Sequence, residues 1–176
     1  MKTSSPKAPT IGFGFLLTIL AIYILRTLVF DQGFPHPVAS VVEPGETIVH
    51  FDQLTSGPLG YFAVGYALKI GTLISSATLL LVSSLRFNRE GRITPHVSKP
   101  ITLSAWTLLL YPLGPFVQHM GANWYSAQHG VDDLYNTQAL GPDLFPLWLL
   151  GLYALTLAGV YFSRAAALEE DHEGLV

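Results

Sequence analysis

Residues 59–85 read LGYFAVGYALKIGTLISSATLLLVSSL, and this stretch decides the fold. It holds a single charged side chain, Lys69, and no Asp, Glu, Arg or His. About 20 apolar residues rising 1.5 Å each cross a hydrocarbon core of roughly 30 Å, so the stretch can span a bilayer with tilt to spare. A lysine near the centre of such a helix costs about 2.5–3.5 kcal/mol on insertion scales, which makes Lys69 a residue that has to be explained. Ala67, Gly71 and Ser75 recur at every fourth position. That spacing sets them on one face, where another helix can approach closely.

Three further stretches, about 11–30, 101–118 and 144–163, have the same character. Half of the 176 residues are hydrophobic and only 12% are charged, about half the charged share of an ordinary soluble domain. The expected fold is therefore an all-α integral membrane protein, one domain over residues 1–176 with four transmembrane helices. The chain has no cysteine. That excludes disulfides, thiolate metal sites, iron–sulfur clusters and covalent haem attachment.

The charges separate into two sets. Lys2, Lys7, Arg86, Arg89, Arg92, Lys99 and Arg164 lie at the chain's start, in the segment between the second and third spans, and after the fourth. The connections 31–58 and 119–143 carry no Lys or Arg but seven acids, Asp31, Glu43, Glu46, Asp52, Asp132, Asp133 and Asp143. The positive-inside rule then puts both termini and the middle loop in the cytoplasm, with the protein in an inner (cytoplasmic) membrane or an equivalent energy-transducing membrane. The apolar run 11–30 exceeds the 7–15 residues of a signal-peptide core, so an uncleaved anchor is expected.

Both outer connections are expected to be structured. Val38–Val42 and Thr47–Phe51 flank Glu43-Pro44-Gly45-Glu46, a pattern suited to a type II turn between β-branched arms, hence a short hairpin. Phe34-Pro35-His36-Pro37 before it should be extended. In the third span Pro112 and Pro115 remove backbone donors and free carbonyls that lipid cannot satisfy. Ser98-Lys99-Pro100 reads as the start of that helix and Asp143 as the cap of the fourth.

The candidate chemistry is thin. His119, His129, Asp132 and Asp133, with His36 and His50 nearby in the outer connections, are donor types that copper, zinc or iron use without thiolates. Their spacing is not diagnostic, and the competing reading is that they are solvated polar groups and inter-subunit hydrogen-bond partners. Axial haem ligation across a bundle needs histidines within two spans, and the only histidine touching a span is His119 at the outer end of the third, which argues against a bis-histidine haem. No span holds Asp or Glu, which argues against a carboxylate-based ion carrier. Arg26, four residues inside its span's outer end, either anchors at the headgroups or pairs with an acid such as Asp31. Lys69 either snorkels outward past Tyr66 or makes a polar contact, with Tyr111 and Tyr153 as hydroxyl partners or with a partner subunit, a lipid phosphate or a quinone-like head group.

Two functions follow as expectations. The first is a small accessory subunit of a larger membrane complex, such as an energy-transducing, electron-transport assembly. It would have no catalytic centre or cofactor of its own, and its partners would be other integral membrane subunits and lipids, not nucleic acid. The aromatic side chains Trp124, Tyr125, Tyr135 and Trp148 suit interface anchors. The second is a membrane enzyme or ligand- or metal-binding protein with a His/Asp site under the outer loops, floored by the proline-broken helix.

Overall fold

A computed structural model of the chain describes residues 8–35, 48–130 and 144–173. Helix α1 (Ala8–Leu25) runs on into a π turn (Arg26–Phe30). Strands β1 (Gly33–Pro35) and β2 (Ile48–His50) follow, then a 3-10 turn (Phe51–Gln53). Four helices complete the order: α2 (Ser56–Glu90), α3 (Pro95–Leu109), α4 (Leu113–Gln128) and α5 (Leu144–Glu173). Four helical stretches, Pro9–Phe30, Ser56–Glu90, Pro95–Gln128 and Trp148–Leu168, are long and apolar enough to cross a membrane. The chain is thus mostly helical and compatible with a multi-pass membrane protein.

Helix α2 is long because nothing interrupts it. Pro58 sits in its first turn, where a missing N–H is tolerated. It stops at Gly91, whose φ of +70° and N–H to the Phe87 carbonyl (2.9 Å) form a left-handed cap.

The third span differs from the sequence reading at both ends. Its helix begins at Pro95 and not after Ser98-Lys99-Pro100, so Pro100 lies inside α3. Thr94-Pro95 supplies the start, with proline at the first helical position and the Thr94 carbonyl accepting from Val97 and Ser98 at 2.9 and 3.0 Å. An interior proline frees the carbonyl four residues back, here His96, and Arg86 Nη1 donates to that oxygen at 2.8 Å. Pro112 does the same to Leu108, and there the Trp148 indole Nε1–H donates at 3.1 Å. The carbonyl four residues before Pro115, that of Tyr111, accepts from the Gly114 N–H at 3.1 Å, so each freed carbonyl has a donor. Residues 110–112 form a turn between α3 and α4, and α4 then continues to Gln128, past the expected end near Gln118. His119, Trp124 and Tyr125 are therefore helical rather than part of a loop.

Two compact units emerge. One comprises residues 1–19, 72–109 and 144–176. Its described part joins the start of α1, the second half of α2, α3 and α5 through hydroxyls and small residues. Ser76 and Ser104 share a buried hydrogen bond of 2.6 Å between their Oγ atoms. Ser83 Oγ donates to the Val97 carbonyl at 2.7 Å. Thr10 Oγ1 bonds Ser84 Oγ (2.6 Å) and accepts from Asn88 Nδ2 (2.7 Å). Gly159 of α5 faces Thr102, whose Oγ1 lies 2.7 Å from where a Cβ would stand.

The other unit comprises residues 20–71 and 110–143. Strands β1 and β2 pair antiparallel with Gly33 opposite His50, Phe34 opposite Val49 and Pro35 opposite Ile48. The second arm of the expected hairpin is thus a strand, and Phe34-Pro35 is extended. The described partner of that arm is Gly33–Pro35, while Val38–Val42 and the turn at 43–46 lie outside the described residues. Phe34 is buried among three rings, Phe51, Tyr66 and Phe62, at centroid distances of 5.0, 5.5 and 6.0 Å. With Val49, Leu54, Ile70, Ala122 and Tyr125 these form the apolar core.

Candidate functional site

The site is built where α2 and α4 cross. Gly65 and Gly114 bring the two backbones into contact. A Cβ on Gly65 would lie 2.6 Å from the Gly114 carbonyl oxygen, and one on Gly114 would lie 2.7 Å from that of Gly65. Side chains larger than hydrogen would hold the helices apart. Gly121, two turns further along α4, packs closely on Tyr61, where an added Cβ would lie 2.8 Å from the Tyr61 Cβ. Gln118 falls on this same face, four residues after Gly114 and three before Gly121, and is carried into the interior at 1% exposure.

That position delivers Gln118 to the one charge of the long apolar stretch. Lys69 Nζ donates to Gln118 Oε1 at 3.1 Å and lies 5.5 Å from the centroid of the Tyr66 ring. The amine is thus held by protein. A ring face and an amide oxygen both favour a cation. The Gln118 Nε2 amide and the Tyr66 hydroxyl are buried without a hydrogen-bond partner, and so is Ser126 Oγ further along α4. Nearby, the buried Thr27 donates through Oγ1 to the Tyr23 carbonyl at 2.7 Å. The cluster offers donors in excess, an ammonium, an amide N–H and a phenol, beside no carboxylate of any span. Such a set is suited to a carbonyl or anionic oxygen.

The other residues singled out from sequence are placed as follows. Tyr111 is half-buried in the turn between α3 and α4. Tyr153 on α5 is 63% exposed. Arg26 forms an ion pair with Asp31, Nε to Oδ2 3.5 Å, with the arginine side chain largely exposed. Such a pair contributes roughly 0–1 kcal/mol. Ala67, Gly71 and Ser75 are all exposed, and a Cβ on Gly71 would meet nothing within 4 Å. The chain packs α2 through the opposite set, including Phe62, Gly65, Tyr66, Ile70, Ser76 and Ser83, all buried.

The histidines are not brought together. His119 Nδ1–H donates to the Pro115 carbonyl at 3.0 Å, and His129 Nδ1–H donates to that of Tyr125 at 2.8 Å. Each ring is bound back on its own helix. Ten residue steps separate them by about 15 Å along the axis at 1.5 Å per residue. Asp132 and Asp133 lie outside the described residues. Among the described residues no three His, Asp or Glu cluster as metal ligands do. A polar cleft of about 490 Å³ is lined by Phe30–Gln32 and His50–Gln53. There His50 Nδ1–H donates to the Asp31 carbonyl at 2.9 Å.

Sequence reasoning missed Gln118 as the partner of Lys69, because it took the third helix to end at that residue. The signal was the Gly114, Gln118, Gly121 spacing, which marks a small-residue face with one polar group on it. Comparison with protein families, curated proteins and solved structures finds no match to this chain, so its function has to be read from its own side chains.

Proposed function

We propose that this chain is an accessory subunit of a larger membrane complex, without a catalytic centre of its own, and that it meets another integral membrane subunit through the Ala67–Gly71–Ser75 face of α2. One observation carries the reading. Among the described residues none packs on the small-residue seam with the spacing of a helix contact, and its glycine faces open space. Close helix contact in a bilayer comes from such seams, since lipid tails remove the hydrophobic drive between helices. Tyr61 near the start of the same helix and Trp124 of α4, with rings 5.9 Å apart, add a rigid surface of the kind interfaces use.

The test is mild solubilisation of the native membrane followed by sizing and identification of what travels with the chain. The expected result is a complex that Gly71→Leu dissociates while the purified chain melts no lower than before. A lone chain on the sizing column, or a complex indifferent to Gly71→Leu, refutes the reading. The chain has no cysteine, so Ser75→Cys gives a single cross-linking site for naming the neighbour.

A second reading rests on the unpartnered Gln118 Nε2 and Tyr66 hydroxyl beside Lys69. It makes the chain a ligand-binding membrane protein that holds a quinone-like carbonyl or a lipid phosphate there. Its mark is a bound molecule that Gln118→Leu and Tyr66→Phe release. Retention of the same bound molecules by both variants removes it.

A further inference from the structure

We infer that the unit formed by residues 8–19, 72–109 and 144–173 carries a binding site for one anionic phospholipid, with an acyl chain in an apolar cleft and the phosphate at the basic end of α2 and α3. The cleft measures about 310 Å³ and is walled by side chains of four helices, including Phe13 of α1, Leu80 and Phe87 of α2, Ile101 of α3 and Ala158 and Phe162 of α5. Its walls are almost wholly apolar, so it takes a hydrocarbon chain and not a polar metabolite.

Charge complementarity identifies the rest of the ligand. Cleft residues Ser83, Ser84, Phe87, Ile93 and Val97 interleave with Arg86, Arg89, Arg92 and Lys99, opposed in this segment by Glu90 alone. The four basic side chains are exposed. Arg86 is held at the cleft's rim, its Nη1 on the His96 carbonyl next to Val97, which receives Ser83 Oγ. A guanidinium anchored by one donor keeps others for phosphate oxygens. The Ser84–Thr10–Asn88 chain of hydrogen bonds ends in Asn88, whose Oδ1 is a buried oxygen without a partner. It can accept from a head-group or glycerol hydroxyl. An apolar slot under a cluster of arginines is the arrangement by which basic pockets between transmembrane helices take anionic lipid heads. The site is independent of the subunit contact proposed above and involves none of its residues.

The experiment uses the full purified chain in discs of equal phosphatidylglycerol and phosphatidylcholine, followed by detergent extraction and native mass spectrometry of the lipid that stays bound. The expected result is one phosphatidylglycerol per chain, preferred over phosphatidylcholine by roughly tenfold or more, given about one kcal/mol per basic residue near an anionic head. Arg89→Gln with Arg92→Gln should abolish the preference, and the corresponding pair of lysine substitutions should keep most of it. Ala158→Phe should lower retention of phosphatidylglycerol by narrowing the cleft. Equal retention of the two lipids overturns the inference, as does a preference unchanged by the glutamine pair. A bound lipid without phosphate also overturns it. Should Ala158→Phe fail to fold, the glutamine pair alone decides, because its positions are exposed and its folding is read by the same melting curve as wild type.

Discussion

Gly114→Ala tests the crossing that creates the Lys69–Gln118 pair. The added methyl would lie 2.7 Å from the Gly65 carbonyl oxygen, 2.7 Å from the Lys69 nitrogen and 2.8 Å from the Lys69 Cβ. Two of the three obstacles are backbone, so no side-chain rotation relieves them. Ordinary contact for a Cβ starts near 3.4 Å, and the helices must therefore part by about 0.7 Å. A gap of that size forfeits a quarter to a half of each dispersion contact along the seam, and overpacking of this kind costs about 1–3 kcal/mol. The same shift takes the 3.1 Å Lys69–Gln118 bond beyond hydrogen-bond distance, a loss of about 0.6 kcal/mol by the average for interhelical polar pairs. Alanine returns up to about 1 kcal/mol of helix propensity. The net is a destabilisation of about 1–2 kcal/mol, or roughly 2–8 °C for a chain of this length. Gly71→Ala is the control, since its methyl meets open space and only the propensity gain remains. Melting of the detergent-purified chain should move in opposite directions for the two variants. Gly114→Ala melting at or above Gly71→Ala would show that the glycine contact does not hold these helices together. Gly65→Ala with Gly114→Ala should cost less than the sum of the two, because either methyl alone already parts the same crossing.

Trp148→Phe keeps the ring but removes the donor to the Leu108 carbonyl, leaving an oxygen freed by Pro112 unsatisfied. A loss of about 1–3 kcal/mol is expected, seen as a lower melting temperature that Pro112→Ala restores in the double variant. Gln32 holds a φ of 45°, a left-handed conformation that costs a non-glycine residue about 1–2 kcal/mol. Gln32→Gly should therefore raise stability by up to that amount, and an unchanged or lower melting temperature counts against the strain. Lys69→Met should leave the isolated chain about as stable, because the removed cost of a charge in an apolar stretch, about 2.5–3.5 kcal/mol, offsets about 1–3 kcal/mol for the stranded Gln118 Oε1. Gln118→Leu keeps that charge and removes the amide oxygen that accepts from it, so it should destabilise by about 1–3 kcal/mol. Equal effects from the two variants would mean that the pair does not matter to folding.

The helices were legible because length and apolarity decide membrane spans, and residues 59–85 satisfy both without ambiguity. The break at Pro112 was legible for the same reason that any interior proline is. Its remedy was not, because the indole that fills the Leu108 carbonyl comes from Trp148, 40 residues away in sequence. Pro100 misled more directly. Its position after Ser98-Lys99 imitates a helix start, and only the Arg86 guanidinium on His96 allows the helix to begin at Pro95. Lys69 was recognised as a group needing a partner, yet tyrosines were chosen because hydroxyls stand out in an apolar span. The true partner sits on a helix whose later turns, His119 to Gln128, are polar enough in composition to read as a loop.

The two faces of α2 also explain why the seam of small residues is informative. Toward the chain's own interior, Gly65 has a structural reason, because the Gly114 carbonyl leaves no room for a methyl. On the outward face Gly71 has none of this kind, and the room beside it is open. Lipid alone would favour a different sequence there. Leucine, isoleucine or valine at the centre of a spanning helix contributes about 0.3–0.6 kcal/mol toward insertion, and glycine in a helix interior costs about 0.5–1 kcal/mol against alanine. Across Ala67, Gly71 and Ser75 the face forgoes roughly 2 kcal/mol on these scales. Neighbouring positions on the same exposed side, Val64, Leu68 and Ile74, are filled with the large residues that lipid favours. A smooth strip between bulky flanks is the shape that lets a second helix seat its backbone closely, and that contact would return what the strip gives up. The prediction is therefore specific to the strip: Leu at Gly71 should disrupt assembly, whereas Ala at Ile74, which leaves the strip as it is, should not.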